Sequence, residues 1–163
     1  MSTGTSSVLT SLGWTAFEDR QTDQAESAAR VFSVRRSAVT VVGQQGRQRV
    51  GIAAHRDLGP FAVGDWLILD ADGAITQRLE RRTEIARKAA GEHVHQQVLA
   101  ANVDTLLIVS SCNQEFSLDR LERYLVLACD AGVQPVIVLT KADLTDAVQT
   151  FVDDARRLLP DVE

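Results

Sequence analysis

The sequence predicts a β plus α/β fold, in which a small five-stranded antiparallel barrel precedes the first elements of a parallel α/β domain. Three observations predict it. Between Arg30 and Arg82, short β-branched runs recur between Gly- and Asp-rich turns, with no helical stretch long enough to cover them. From Val103 onward the pattern becomes two continuous apolar runs, "VDTLLIVSS" and "PVIVL", separated by a segment of helical period. The charge also changes sign along the chain. Residues 30–88 carry eleven Lys and Arg against six Asp and Glu, whereas residues 91–163 carry five against twelve, within a net charge of -5.

Residues 1–29 read as a polar, partly mobile arm, with Trp14 and Phe17 as a small apolar tether. Residues 30–82 form the barrel. "RVFSVRRSAVTVVG" and "GRQRVGIAAH" are strands joined by the hairpin signal "GQQG". "FAVGDWLILDADGAITQRL" then supplies a turn at Val63-Gly64-Asp65, a strand, a tight "DADG" turn and another strand. Five short strands in some fifty residues fit an OB-type barrel.

Residues 83–98 are polar and basic and read as a connector. Residues 99–163 begin the second domain. Leu118, Leu121, Leu125 and Ala128 share one helical face, with Ser117 placed as an N-cap and Gly132 as a C-terminal stop. Strand, helix and strand at this spacing predict a βαβ unit with parallel strands. A further helix turns Val148, Phe151, Val152, Ala155, Leu158 and Leu159 inward and stops before Pro160. Two parallel strands are too few for a stable doubly wound sheet, so this domain is expected to be incomplete.

Composition excludes several classes. The chain is 45% hydrophobic and 24% charged, as expected of a globular protein and not a disordered one. No apolar run reaches the roughly 18 residues of a membrane span, and the N-terminus lacks the pattern of a secretory signal. Cys112 and Cys129 fit two structural thiols in a reducing cytoplasm. His93 and His95 lie two apart, which places them on one face of a strand, but with His55 they form no metal-ligand spacing. No Ser-His-Asp or Cys-His arrangement is present, so no catalytic residue is assigned within the chain.

Two stretches carry chemistry. "VIVL" runs into Thr140-Lys141-Ala142-Asp143, and ligands of open α/β sheets sit beyond the carboxyl ends of their strands. An aspartate there accepts hydrogen bonds from the N1–H and exocyclic amine of guanine, a donor pair that adenine lacks. The lysine stem can lie across the base while its ammonium stays in water. The alternative use of Asp143 is as a cap for the following helix. The second stretch is the set Arg30, Arg35, Arg36, Arg47 and Arg49 on the first barrel strands, where such barrels bind nucleic acid. With few aromatic residues nearby, backbone and shape recognition of RNA is expected there, not base reading. The arginines of "RLERYL" are interleaved with acids on an amphipathic helix and read as surface ion pairs.

In order along the chain, "LGWTAF", "ARVFSVRR", "AVGDWL", "RRTEIARKAAG", "HQQVLAANVDTLLIVSS", "LDRLERYLVLACDAG" and "PVIVLTKADL" resemble the RsgA (YjeQ) family of GTPases dependent on the small ribosomal subunit. The resemblance implies an OB domain, a circularly permuted P-loop GTPase domain and a C-terminal zinc-binding domain. It implies GTP and Mg²⁺ as ligands of the complete protein, a GTP hydrolase (EC 3.6.1.-) that acts in late maturation of the 30S subunit. The implied partners are 16S rRNA and the 30S subunit, bound by a cytoplasmic monomer.

In the permuted order the base-reading motif precedes the phosphate loop, so the loop, the switch elements and the Zn²⁺ ligands are expected beyond Glu163. The chain alone is expected to be inactive. Thr140 stands where the family's commonest motif has Asn, which predicts weaker guanine affinity with the selecting residues Lys141 and Asp143 retained. Two rival readings share these residues: a non-enzymatic RNA-binding barrel with a structural α/β half, and a regulatory nucleotide-sensing fragment.

Overall fold

The computed structural model describes residues 7–88 and 96–158. It divides into two compact units between Asn102 and Val103. Among the described residues no helix is long and apolar enough to cross a membrane.

The first unit is built on strands β1 (Ala28–Val34), β2 (Ala38–Gly43), β3 (Gly46–Gly51), β4 (Trp66–Leu69) and β5 (Ile75–Arg78). Their order is β3-β2-β1-β4-β5, and every pairing is antiparallel. A flat sheet would hold β3 and β5 about 19 Å apart at ordinary strand spacing. Here Val50 of β3 and Ile75 of β5 belong to one buried cluster with Val31, Val39, Val41 and Leu67. A Cβ built on Gly73, in the β4–β5 turn, would meet Gln48 of β3 at 3.8 Å. The sheet is therefore curled into a barrel of OB type, and Ile52, Leu58 and Phe61 pack against its core. Asp70 shapes the β4–β5 turn by accepting from the Asp72 and Ala74 amides at 3.0 and 2.8 Å.

From Ser7 the arm carries secondary structure. Helices α1 (Ser7–Ser11) and α2 (Ala16–Asp19) set Leu9 and Trp14 into a second cluster with Ala28, Trp66, Ile68 and Leu79. Trp14 meets Trp66 edge-on at 4.8 Å, and Phe17 stays half-buried. A capping box at Thr15 and Glu18 starts α2. The apolar "LGW" is legible in the sequence, but the cap that fixes its direction lies in "TAFED".

Residues 83–98, read as a connector, contribute to the antiparallel pair β6 (Glu84–Lys88) and β7 (Gln96–Ala101). Ile85 and Ala101 are buried, while charged neighbours hide the alternation in the sequence. His93 and His95 lie outside the described residues. The end of β7 docks on the Val63–Asp65 turn, where the Ala101 amide donates to Val63 O at 2.8 Å. Asn102, buried at φ 54, donates its side-chain amide to Gly64 O and accepts from the Arg82 amide. Asp65 is fully buried and pairs with Arg81 at 2.7 Å, an arrangement costly to break from one side. Hydrogen bonding to Asp65, and then to Glu84, holds the Arg81 guanidinium above its ordinary pKa despite burial.

The second unit contains β8 (Thr105–Ser111), α3 (Leu118–Asp130), β9 (Gln134–Thr140) and α4 (Val148–Leu158). β8 and β9 are parallel and in register from Thr105↔Gln134 to Ser111↔Thr140. Ser117 caps α3 by accepting from the Arg120 amide. Gly132, at φ 64, ends it as Gly132 N–H donates to Cys129 O and Val133 N–H to Ala128 O.

Ile108, Leu121, Leu125 and Ala155 form the core of this unit, and Phe116 packs edge-on against Phe151. Leu118, expected on the buried face, is 37% exposed because the first turn of α3 runs past the packed stripe. Leu159 lies outside the described residues. Both helices cover the Ile108 face, so Leu107 and Val109 on the other face of β8 are exposed.

Candidate functional site

The parallel register brings the carboxyl ends of β8 and β9 together, and the Thr-Lys-x-Asp motif starts there. Thr140 Oγ1 donates to Ser110 O at 3.1 Å, and the Cys112 amide donates to Thr140 O at 2.9 Å. The Ser110 hydroxyl beside them is buried and has no hydrogen-bond partner among the described residues. Lys141 adopts the left-handed conformation (φ 59, ψ 30), which costs a residue with a Cβ about 1–2 kcal/mol. Non-glycine residues held in this way cluster at functional sites.

The loop after β8 orders itself around Asn113, whose Oδ1 accepts from Ser111 Oγ at 2.8 Å and from the Glu115 amide at 2.9 Å. Glu115 then lies 3.5 Å from Lys141 Nζ. Both side chains are well exposed, so the pair adds at most about 1 kcal/mol of stability, and its effect is to aim the lysine. Ala142–Leu144 form a short 3-10 turn that carries Asp143. The Asp143 side chain is exposed and makes no hydrogen bond among the described residues. In the turn ahead of α4, Thr145 Oγ1 accepts from the Ala147 amide at 3.1 Å. Asp143 makes no bond to the amides of that helix among the described residues, and its carboxylate faces solvent. Ser110, Asn113 and Glu115 are not marked by any motif in the sequence. The parallel register alone brings "SSCNQE" beside Thr140–Asp143.

On the barrel, alternation along β3 turns Arg47 and Arg49 outward, opposite Val42 and Thr40 of β2. Arg35 and Arg36 are exposed just beyond β1. Arg30 departs from this set. Its guanidinium donates to Leu12 O and to Asn102 O, the latter at 2.7 Å, and stands 5.6 Å from the Trp66 ring centroid. It ties the arm and β7 to the barrel because its place on β1 lies beneath both. Phe32, which no sequence motif marks, is 61% exposed with the Arg47 guanidinium 5.0 Å from its ring centroid. Among the described residues, no group of three or more His, Cys, Asp or Glu could hold a metal ion.

A curled five-stranded barrel, followed by a parallel βαβ unit with Thr-Lys-x-Asp at the carboxyl end of its second strand, is the arrangement of an OB-type barrel leading into a GTPase-type α/β domain. The model of the family described as RsgA GTPase matches residues 78–160. The chain belongs to the RsgA GTPase family.

It is 41% identical over 160 residues to the small ribosomal subunit biogenesis GTPase RsgA 2 of Vibrio parahaemolyticus, covering 96% of this chain and 44% of the relative. It is 39% identical over 154 residues to the protein of that name from Vibrio vulnificus, covering 92% of this chain and 44% of the relative. The crystal structure of YjeQ from Thermotoga maritima is similar with a TM-score of 0.60 and 25% identity, over 80% of this chain and 47% of that one. The chain thus spans somewhat under half the length of these relatives.

Proposed function

We propose that this chain is the leading part of a ribosome-biogenesis GTPase, in which the Thr140–Asp143 corner selects guanine and the barrel binds RNA of the small subunit. The observation that carries the reading is the solvent-facing Asp143 carboxylate, uncommitted beyond the carboxyl end of β9 on a loop bent by Lys141. Asp143 accepts from guanine N1–H and the exocyclic amine, each charge-assisted bond contributing roughly 1.5–3 kcal/mol. Lys141, aimed by Glu115, lays its stem across the base. The Ser110 hydroxyl at the same strand end is buried and has no hydrogen-bond partner among the described residues. Thr140 spends its hydroxyl proton on Ser110 O, which fits a role in joining the strand ends more than in contacting the base.

None of the residues assigned here grips a triphosphate. In a protein of the relatives' full length, a phosphate loop and Mg²⁺ complete the site. Mg²⁺ bound there would supply charge neutralisation for attack of water on the γ-phosphate, and its ligands would come from the remainder of that protein and not from the residues assigned here. The Zn²⁺ site that the family resemblance implies also belongs to that remainder. The 163-residue chain alone is expected to turn over no GTP and to bind nucleotide feebly, because phosphate contacts supply much of the usual affinity.

The reading places the protein in the cytoplasm as a monomer that engages 16S rRNA within the 30S subunit. Its test is GTP turnover by the full-length protein with and without purified 30S subunits. Stimulation by the subunits is expected; equal turnover with and without them overturns the ribosomal assignment.

The barrel face supplies a separate expectation. Reversing Arg35, Arg36, Arg47 and Arg49 to Glu should weaken binding to 30S subunits. It should also flatten the salt dependence, by roughly one unit of slope for each phosphate that is no longer neutralised. Binding titrations at low and high salt measure both, and unchanged affinity at both removes RNA from this face.

A further inference from the structure

We infer that the outer face of β1–β3 stacks an unpaired nucleobase on Phe32 while Arg47 and Arg49 hold the flanking phosphates, so that the barrel takes single-stranded RNA in preference to duplex. This rests on the reading that the barrel binds RNA, and it names which form of RNA.

Residues 28–51 contain five arginines and no acid, in a chain whose isoelectric point is about 5.2. With Arg30 committed inside the unit, the other four stand exposed on the outer face of β3 and just beyond β1. Local positive charge held against the chain's average favours a polyanion over an ordinary protein surface.

The second observation is geometric. The β1–β2 register shifts between Val31 and Ser33, which leaves Phe32 as the bulge residue without a cross-strand partner. An isolated exposed apolar residue is ordinary in itself. This one is set among arginines, with the Arg47 guanidinium 5.0 Å from its ring centroid and the side chain still 61% exposed. The cation holds the ring in place, and the rest of the ring remains open to solvent. Arg49 follows Arg47 by two residues on the same face, about 7 Å along the strand, a spacing that lets long side chains reach neighbouring phosphates.

An aromatic ring between arginines is the pairing used by sites that track single strands, where bases stack and guanidinium groups neutralise the backbone. Duplex RNA keeps its base faces stacked inside the helix and offers this ring nothing to cover. Scarce aromatics in the sequence favour backbone and shape recognition; one aromatic in this position changes that expectation.

The test is fluorescence anisotropy of the 163-residue chain with a labelled oligouridylate and with a labelled hairpin duplex of equal charge. The single strand should bind more tightly. Phe32→Ala should weaken it by about 5- to 150-fold, the effect of removing one stacked base, and leave the duplex unchanged. Phe32→Tyr should behave as wild type. Because Phe32 lies outside both buried clusters of the barrel unit, unchanged tryptophan emission will show that the variants are folded. If Phe32→Ala binds oligouridylate as wild type does while Arg47→Glu/Arg49→Glu weakens both probes, stacking is wrong and RNA binding stands. If wild type binds neither probe nor 30S subunits, RNA binding by the barrel fails, and this inference fails with it.

Discussion

Gly64→Ala is expected to unfold the barrel unit at temperatures where the wild type is stable. Gly64 sits at φ 93, and a Cβ there would lie 1.9 Å from Ala101 O and 3.0 Å from Ala101 C. Both atoms are backbone, so no side chain can swing aside. The same region holds the Ala101 amide on Val63 O, the Gly64 amide on Val31 O and the Asn102 side chain on Gly64 O. Relieving the clash means separating β7 from the barrel and leaving those buried groups unpaired. The expected destabilisation exceeds about 4 kcal/mol, against a total of roughly 5–15 for a typical domain.

Gly46→Ala is the matched control. Gly46 also has positive φ (83), but a Cβ there meets nothing within 4 Å, so only the backbone cost of about 1–2 kcal/mol should appear. The chain's two tryptophans, Trp14 and Trp66, both lie in the first unit, so emission during urea unfolding follows that unit alone. Equal midpoints for the two variants would show that the docking of β7 is dispensable.

Much of this architecture was legible because the relevant signals are local. "WLIL" between "GD" and "DADG" states a strand and its turns, and "SLDRLERYLVLACDAG" carries its own cap and stop. What was missed depends on partners distant in sequence. The β6–β7 pair alternates small apolar residues with Arg87 and Gln97, which reads as a solvated connector until the Val63–Asp65 turn supplies a surface to dock on. Arg30 looks like its exposed neighbours, and only the folded arm and Asn102 give its guanidinium an internal use. Phe32 follows the alternation of β1, but its exposure depends on a bulge that the sequence does not announce.

At the candidate site the motif itself was visible. The left-handed Lys141, the Glu115 pair and the unpartnered Ser110 hydroxyl became visible only once β8 lay in register beside β9. The alternative use of Asp143 as a helix cap was open in the sequence, and Asp143 makes no such contact among the described residues.

The second large effect concerns Asp143. Asp143→Asn exchanges a pair of acceptors for one acceptor and one donor while keeping the side chain's size and the loop's backbone. With guanine, the new amide donor faces the exocyclic amine, and one strong bond becomes a clash of donors. With xanthine, whose C2 carries a carbonyl, the same donor finds an acceptor. Each mismatched bond should cost on the order of 1–3 kcal/mol, or roughly 5- to 150-fold in affinity. Lys141 and Glu115 are untouched, so stacking over the base should survive and the change should appear as altered base preference.

Guanine selection by Asp143 is decided by a paired calorimetric titration of GTP and xanthosine triphosphate against wild type and Asp143→Asn, both as full-length protein with Mg²⁺. The variant should lose GTP affinity and gain affinity for xanthosine triphosphate, crossing the wild-type preference. A variant that keeps its GTP affinity and gains nothing for xanthosine triphosphate would contradict guanine selection, and the Thr140–Asp143 corner would then be a loop that reads no base.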